Sequence, residues 1–189
     1  MSKAVLISIK PEWCELIENG NKTIEVRKTR PKLETPFKCY IYCTLPKSSG
    51  DIFLIGCEKP LQGNGKIIGE FICNDIKAFD VPYPAYSDKM DKTIIEKSCI
   101  RYYDLHRYAL HDRLYAWHIS DLVIYDKPKE LSEFEKPCPY DEDCWKCKFY
   151  DGGSREEPPS CNWEDFELTK PPQSWCYVEK MKARKNDAE

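Results

Sequence analysis

Apolar and polar positions along the chain fall into blocks of alternating strand and helix character. Residues 4–9 are apolar except for Ser8, the pattern of a central strand. Pro11 then suits the first turn of a helix, where its missing N–H costs nothing. Trp13, Leu16 and Ile17 recur at i, i+3, i+4, and Gly20 stands where a left-handed residue closes a helix. Residues 23–27 alternate with period two, placing Ile24 and Val26 on one face and Thr23, Glu25 and Arg27 on the other.

After a break at 31–36, residues 37–45 read as a third strand, with Cys39, Ile41 and Cys43 opposite Tyr40 and Tyr42. A turn at 46–50 leads to a short apolar strand over 51–58 and a Pro/Gly loop over 59–65. Residues 66–79 form a long strand in which Gly69 and Asn74-Asp75 are the expected bulges, the device that bends a sheet toward a barrel. Residues 92–110 are helical in period, through Ile94, Ile95, Cys99, Tyr102, Leu105, Tyr108 and Ala109. Residues 114–125 give another strand, stopped by Pro128, and residues 131–134 a small packing segment. Trp175, Tyr177 and Glu179 alternate as a final strand.

This order predicts an α+β domain: a curled, mixed and largely antiparallel sheet, closed or nearly closed into a barrel, flanked by helices. Residues 1–135 carry the barrel. Residues 136–179 form a cysteine-bearing insert and the strand that completes the domain, and 180–189, nearly devoid of apolar residues, a disordered tail.

Composition narrows the function classes. In 189 residues, 41% are apolar and 32% charged, and no apolar run approaches the roughly 20 residues of a membrane span. The first residues lack the h-region of a secretory signal, so the expectation is a cytoplasmic protein with no membrane role. A net charge of −3 provides no global basic field, leaving nucleic-acid contacts to a local patch.

The richest candidate chemistry lies in residues 8–31. Lys10 stands at a helix start, where a cation is unfavourable unless an anion joins it; a phosphate site shared with backbone amides is one reading, and a side chain reaching into solvent near Glu12 and Glu15 the other. Lys22 follows the glycine turn and could donate to a carbonyl or, desolvated, act as base or nucleophile. Glu25 can accept from an exocyclic amine, and Arg27 offers a planar fork to phosphate or carbonyl. The plainer alternative is a solvated strand face on which Glu25 and Arg27 merely pair. Among the abundant aromatics, which stack unpaired bases when they are not core, Trp117 is the candidate cleft wall. Three histidines, with no G-x-S-x-G, P-loop or H-E-x-x-H, leave little for a Ser-His-Asp, Cys-His or zinc-peptidase machine and call for no organic cofactor.

Eleven cysteines in a reducing compartment favour buried thiols and a metal site over disulfides. Cys138, Cys144, Cys147 and Cys161, spaced C-x5-C-x2-C-x13-C, are candidate ligands of a structural zinc, against free thiols in a loop. The other seven fall at apolar positions and read as core.

The run K-P-E-W-C-E-L-I-E-N-G-N-K-T-I-E-V-R-K-T-R-P resembles the signature of ASCH domains, PUA-like β-barrels marked by G-x-K-x-x-E-x-R. The four hallmark residues are Gly20, Lys22, Glu25 and Arg27. The stretch Y-A-W-H-I-S-D-L-V-I-Y-D-K-P-K-E-L-S-E-F resembles the closing strand of such domains, and P-P-Q-S-W-C-Y-V-E is similar to tails of phage- or prophage-type members. The resemblance implies a PUA-like barrel and a cleft for RNA or a modified nucleobase or nucleoside, with Lys10, Lys22, Glu25, Arg27 and Trp117 as binding residues. One branch of the family hydrolyses N4-acetylcytidine with Lys, Thr and Glu. That branch implies an amidohydrolase in which Lys22, Thr23 and Glu25 stand nearest the catalytic positions. This sequence has Glu25 where the branch has its threonine, and Glu96 as the loose counterpart of its helix glutamate. A non-catalytic protein-interaction module is the remaining alternative.

Overall fold

The computed structural model describes residues 3–45, 65–82, 91–110, 112–137 and 166–179. The elements run β1 (Lys3–Ile9), α1 (Pro11–Glu18), β2 (Ile24–Arg27), β3 (Phe37–Cys43), β4 (Ile67–Phe79), α2 (Lys92–Ser98), α3 (Tyr102–Ala109), β5 (Leu114–Lys129), a 3-10 turn (Leu131–Glu133) and β6 (Trp175–Glu179). The expected strand over 51–58, the four insert cysteines and the tail lie outside the described residues.

Six strands form one mixed sheet in the order β2-β5-β4-β3-β1-β6. β1 and β3 pair in parallel, and every other neighbour is antiparallel. The two edges, β2 and β6, are not paired with each other, yet hydrogen bonds tie β2 and the segment after it to β1 and β6. Arg27 Nη2 donates to the carbonyl of Ser8 at 2.6 Å, Trp175 Nε1 to Thr29 Oγ1 at 3.0 Å, and the Lys32 N–H to the Tyr177 hydroxyl at 2.8 Å. Strands at opposite ends of the ladder meet only if the sheet curls. The barrel is therefore nearly closed, with a seam of side chains in place of a last ladder.

Alternation in the central strands sorts residues into two cores. Val5, Ile7 and Ile9 join Cys39, Ile41, Cys43, Phe71 and Trp117 inside the curl, where α1 adds Cys14 and Ile17. Ala4, Leu6, Tyr40 and Tyr42 lie on the other face under Phe134 and Leu168. Burial on both faces explains why β1 is apolar almost throughout. Helices α2 and α3 cover a third cluster built on Ile24, Val26, Leu114 and Ala116. No described helix is long and apolar enough to cross a membrane.

The register of β4 against β5 shifts between Ile67 and Gly69, Glu70 and Ile72, and Cys73 and Ile76, placing bulges at both expected sites. At Gly69 the backbones approach so closely that a Cβ would stand 2.4 Å from the carbonyl of Val123. Gly69→Ala must therefore push two paired strands apart. The expected loss is roughly 1–3 kcal/mol in urea denaturation, and an unchanged midpoint would refute the close approach.

The helical period over 92–110 divides into two helices before the penultimate strand: Cys99 adopts φ 57°, a left-handed stop, and the chain restarts at Arg101. One expectation needs correction. Pro128 does not end its strand; β5 continues to Lys129, which pairs with Ile67. A proline near a strand end is tolerated because the ladder there needs few N–H donors.

Candidate functional site

Gly20 (φ +77°) allows the chain to turn sharply after α1, and the Lys22 N–H hooks back to the carbonyl of Leu16 at 2.7 Å. This short clasp drives the Lys22 side chain inward, where it is 0% exposed. Its Nζ lies 2.8 Å from each of the carbonyls of Ile24 and Ser98, 3.3 Å from Glu25 Oε2, and 5.1 Å from the centre of the Trp13 ring. An ammonium has three N–H donors and no acceptor. Three oxygens meet them, so Lys22 is a fixed cation.

Glu25 is buried as well, with Oε1 3.0 Å from Arg27 Nη2 and Oε2 facing Lys22. A carboxylate has about four lone-pair directions, so acceptor capacity remains beyond these two partners. Arg27 also donates to the carbonyl of Ser8 through Nη2 and weakly to Ser174 Oγ through Nη1, at 3.5 Å. Its fork is turned onto the protein, where it clamps the seam and orients Glu25. Its Nε is buried without a protein partner. Two cations against one carboxylate leave one net positive charge in a low-dielectric place, where it acts more strongly than in water.

Lys22, Glu25 and Arg27 line a cavity of about 360 Å³. That lies within the usual range of small-molecule sites, roughly 300–1,000 Å³. Trp13 on α1 and Tyr108 on α3 are its aromatic lining; Ile100 and Leu105 add apolar surface, and Ser8, Lys10 and Asp104 add polar groups. Lys10 is 67% exposed and sits 3.7 Å from Glu12, so it keeps the reach to meet an anion.

Of the residues expected from sequence, Lys10, Lys22, Glu25 and Arg27 are brought together. Trp117 is not a cleft wall. It is the strand partner of Glu25 but is 0% exposed, packed edge-on to Phe37 and tilted against Trp175. Thr23 also lies away from the cavity, its N–H bonded to the carbonyl of Lys97 and its carbonyl to the Ile119 N–H. Glu96 is exposed on α2 and does not line the cavity. The carboxylate that does come from a helix is Asp104, which sequence reading missed together with Trp13 and Tyr108. Trp13 and Tyr108 were hidden in helical periods that read as core, and Asp104 lay between the positions of such a period. The usable signal was that Tyr103, Asp104, Arg107 and Tyr108 give α3 more polar and aromatic faces than a buried stripe needs.

Of the seven cysteines expected in the core, Cys14, Cys39, Cys43 and Cys73 are buried there, Cys99 and Cys176 are half-buried, and Cys57 lies outside the described residues. Hydrogen bonding to Cys43, burial and nearby carboxylates push the Cys14 thiol far up. Burial raises Cys39, and raises Cys73 to about 12 and Cys176 to about 11. Such thiols stay neutral near pH 7 and make poor nucleophiles or ligands. Among the described residues, no group of three or more His, Cys, Asp or Glu is placed to hold a metal ion.

No family model and no curated protein matches the chain. Among solved structures, the crystal structure of ASCH from Zymomonas mobilis matches with a TM-score of 0.50 at 17% identity, over 94% of this chain and 88% of that one. Two point mutants of that Zymomonas mobilis protein match with TM-scores of 0.48, at 18% and 16% identity, over 95% and 94% of this chain and 92% and 89% of theirs. The first likeness extends over nearly the whole chain and shows its fold, the α+β arrangement of a curled mixed sheet flanked by helices, to be shared with that Zymomonas mobilis protein.

Proposed function

We propose that the chain is an ASCH-type binding module that takes a nucleobase or nucleoside, free or within RNA, into the cavity between α1, β2 and α3. The observation that carries this reading is the buried Lys22–Glu25–Arg27 cluster at a cavity whose lining includes Trp13 and Tyr108. Aromatic faces beside a few fixed polar groups are how unpaired bases are held: stacking supplies affinity, and hydrogen bonds read the base edge. Glu25 accepts from a base N–H, the net positive charge favours carbonyl oxygens, and Lys10 meets a phosphate at the rim.

Binding is favoured over hydrolysis by the state of the polar groups. A general base needs a free lone pair within reach of the proton it takes. Lys22 has oxygens at all three donors and Thr23 lies away from the cavity, so neither is placed to act on a bound amide, while the acceptor capacity left on Glu25 suits a base N–H.

Titration calorimetry with cytidine, N4-acetylcytidine and a short RNA tests both readings. The expected result is saturable binding, weakened roughly five- to a hundredfold by Trp13→Ala, with N4-acetylcytidine recovered intact. Absence of binding to every member of the panel at low salt would end the proposal, and release of acetate would turn it into the amidohydrolase.

A further inference from the structure

We propose that the outer face of α3 extends the cavity into a track for single-stranded RNA, with bases next to the captured one stacking on Tyr108 and Tyr103. This inference rests on the nucleobase reading of the cavity and specifies that its ligand is part of a strand. Two aromatic rings on α3 are left in water: Tyr108 is 40% exposed and Tyr103 is 67% exposed. Burial does not explain them, because α3 contributes Leu105 and Ala109 to the core. Tyr108 belongs to the cavity lining, one helical turn beyond Asp104. Tyr103 and Arg107 precede those two residues by one position each, so they form the adjacent strip, about 100° further around the helix.

Each exposed ring has a cation over it. Lys28 Nζ lies 5.5 Å from the centre of Tyr108, and the Arg107 guanidinium lies 5.8 Å from that of Tyr103. An aromatic ring paired with a cation offers what one nucleotide of a flexible strand needs: a face for the base and a charge for the adjoining phosphate. The chain as a whole carries −3, yet here Lys28 and Arg101, paired with Asp112 at 3.3 Å and Asp104 at 2.8 Å, are joined by Arg107, whose charge those two carboxylates do not offset. A local excess of positive charge on an acidic protein fits a polyanion. Asp104 at the rim selects within that class. A carboxylate repels phosphate but accepts from a hydroxyl, and the 2′-hydroxyl is what ribose offers and deoxyribose lacks.

Anisotropy titrations of the full chain with a six-nucleotide RNA, the matching DNA and, by calorimetry, a single nucleoside test the track. The RNA hexamer should bind more tightly than the nucleoside. Tyr103→Ala should weaken the hexamer roughly five- to a hundredfold and leave nucleoside affinity unchanged. Arg107→Gln should lower the slope of log affinity against log salt by about 0.7, one phosphate contact on a single strand. If the nucleoside binds but Tyr103→Ala leaves hexamer affinity at the wild-type value, the track is overturned and the cavity reading stands alone. Equal affinity for the DNA hexamer would overturn the assignment to RNA. If neither nucleoside nor hexamer binds, the cavity reading fails, and the track with it.

Discussion

Lys22→Met will cost the protein roughly 3–5 kcal/mol of folding stability, the range expected when one partner of a buried charge pair is removed. The methionine fills much of the same space, so the loss is electrostatic rather than a cavity effect. It leaves the carbonyls of Ile24 and Ser98 without the donor each now has at 2.8 Å, and leaves Glu25 with Arg27 alone. Urea denaturation followed by circular dichroism measures the loss directly. A second variant separates the causes. Lys22→Met combined with Glu25→Leu removes the stranded carboxylate as well, and should recover part of the loss while abolishing nucleoside binding. A single Lys22 variant within about 1 kcal/mol of wild type would mean that the cation is not the internal strut described here.

The sequence made this cluster legible because all of its parts lie within eight residues and rest on local rules. A proline opens α1, a glycine in the left-handed region ends it, and a period-two strand follows. Local geometry gathers Lys22, Glu25 and Arg27 on one short stretch, and a distant group, the carbonyl of Ser98, completes the hold on Lys22. The bulges at Gly69 and Asn74-Asp75 were legible for the same reason, since residue type alone marks them. What could not be read was anything set by how separate elements meet. Whether Trp117 or Trp13 stands at the cavity depends on which end of the curled sheet α1 and α3 leave open, and both residues carry plausible core spacing. The direction of the Arg27 fork depends on Ser8 and Ser174, 19 and 147 residues away in sequence. Where α2 gives way to α3 was concealed because Cys99 adopts a left-handed conformation that cysteine seldom takes.

Arg27→Lys is expected to behave as a severe substitution although it keeps the charge. The guanidinium reaches Glu25 Oε1, the carbonyl of Ser8 and Ser174 Oγ together because its donors are spread over a rigid plane. A lysine amine is a single point on a shorter reach, so it can hold Glu25 or the seam but not both. Losing the seam contact should lower stability by roughly 1.5–3 kcal/mol, one charge-assisted hydrogen bond. Freeing one side of Glu25 should weaken nucleoside and RNA affinity about tenfold, since an acceptor that must be reoriented on binding loses its preorganisation. The salt dependence separates this from a simple phosphate contact. Because the charge is retained, the slope of log affinity against log salt should match wild type while the affinity itself drops. Wild-type affinity in Arg27→Lys would show that Arg27 acts as a charge alone. The orientation of Glu25 would then have to come from Lys22, whose three oxygen partners already fix it from the opposite side.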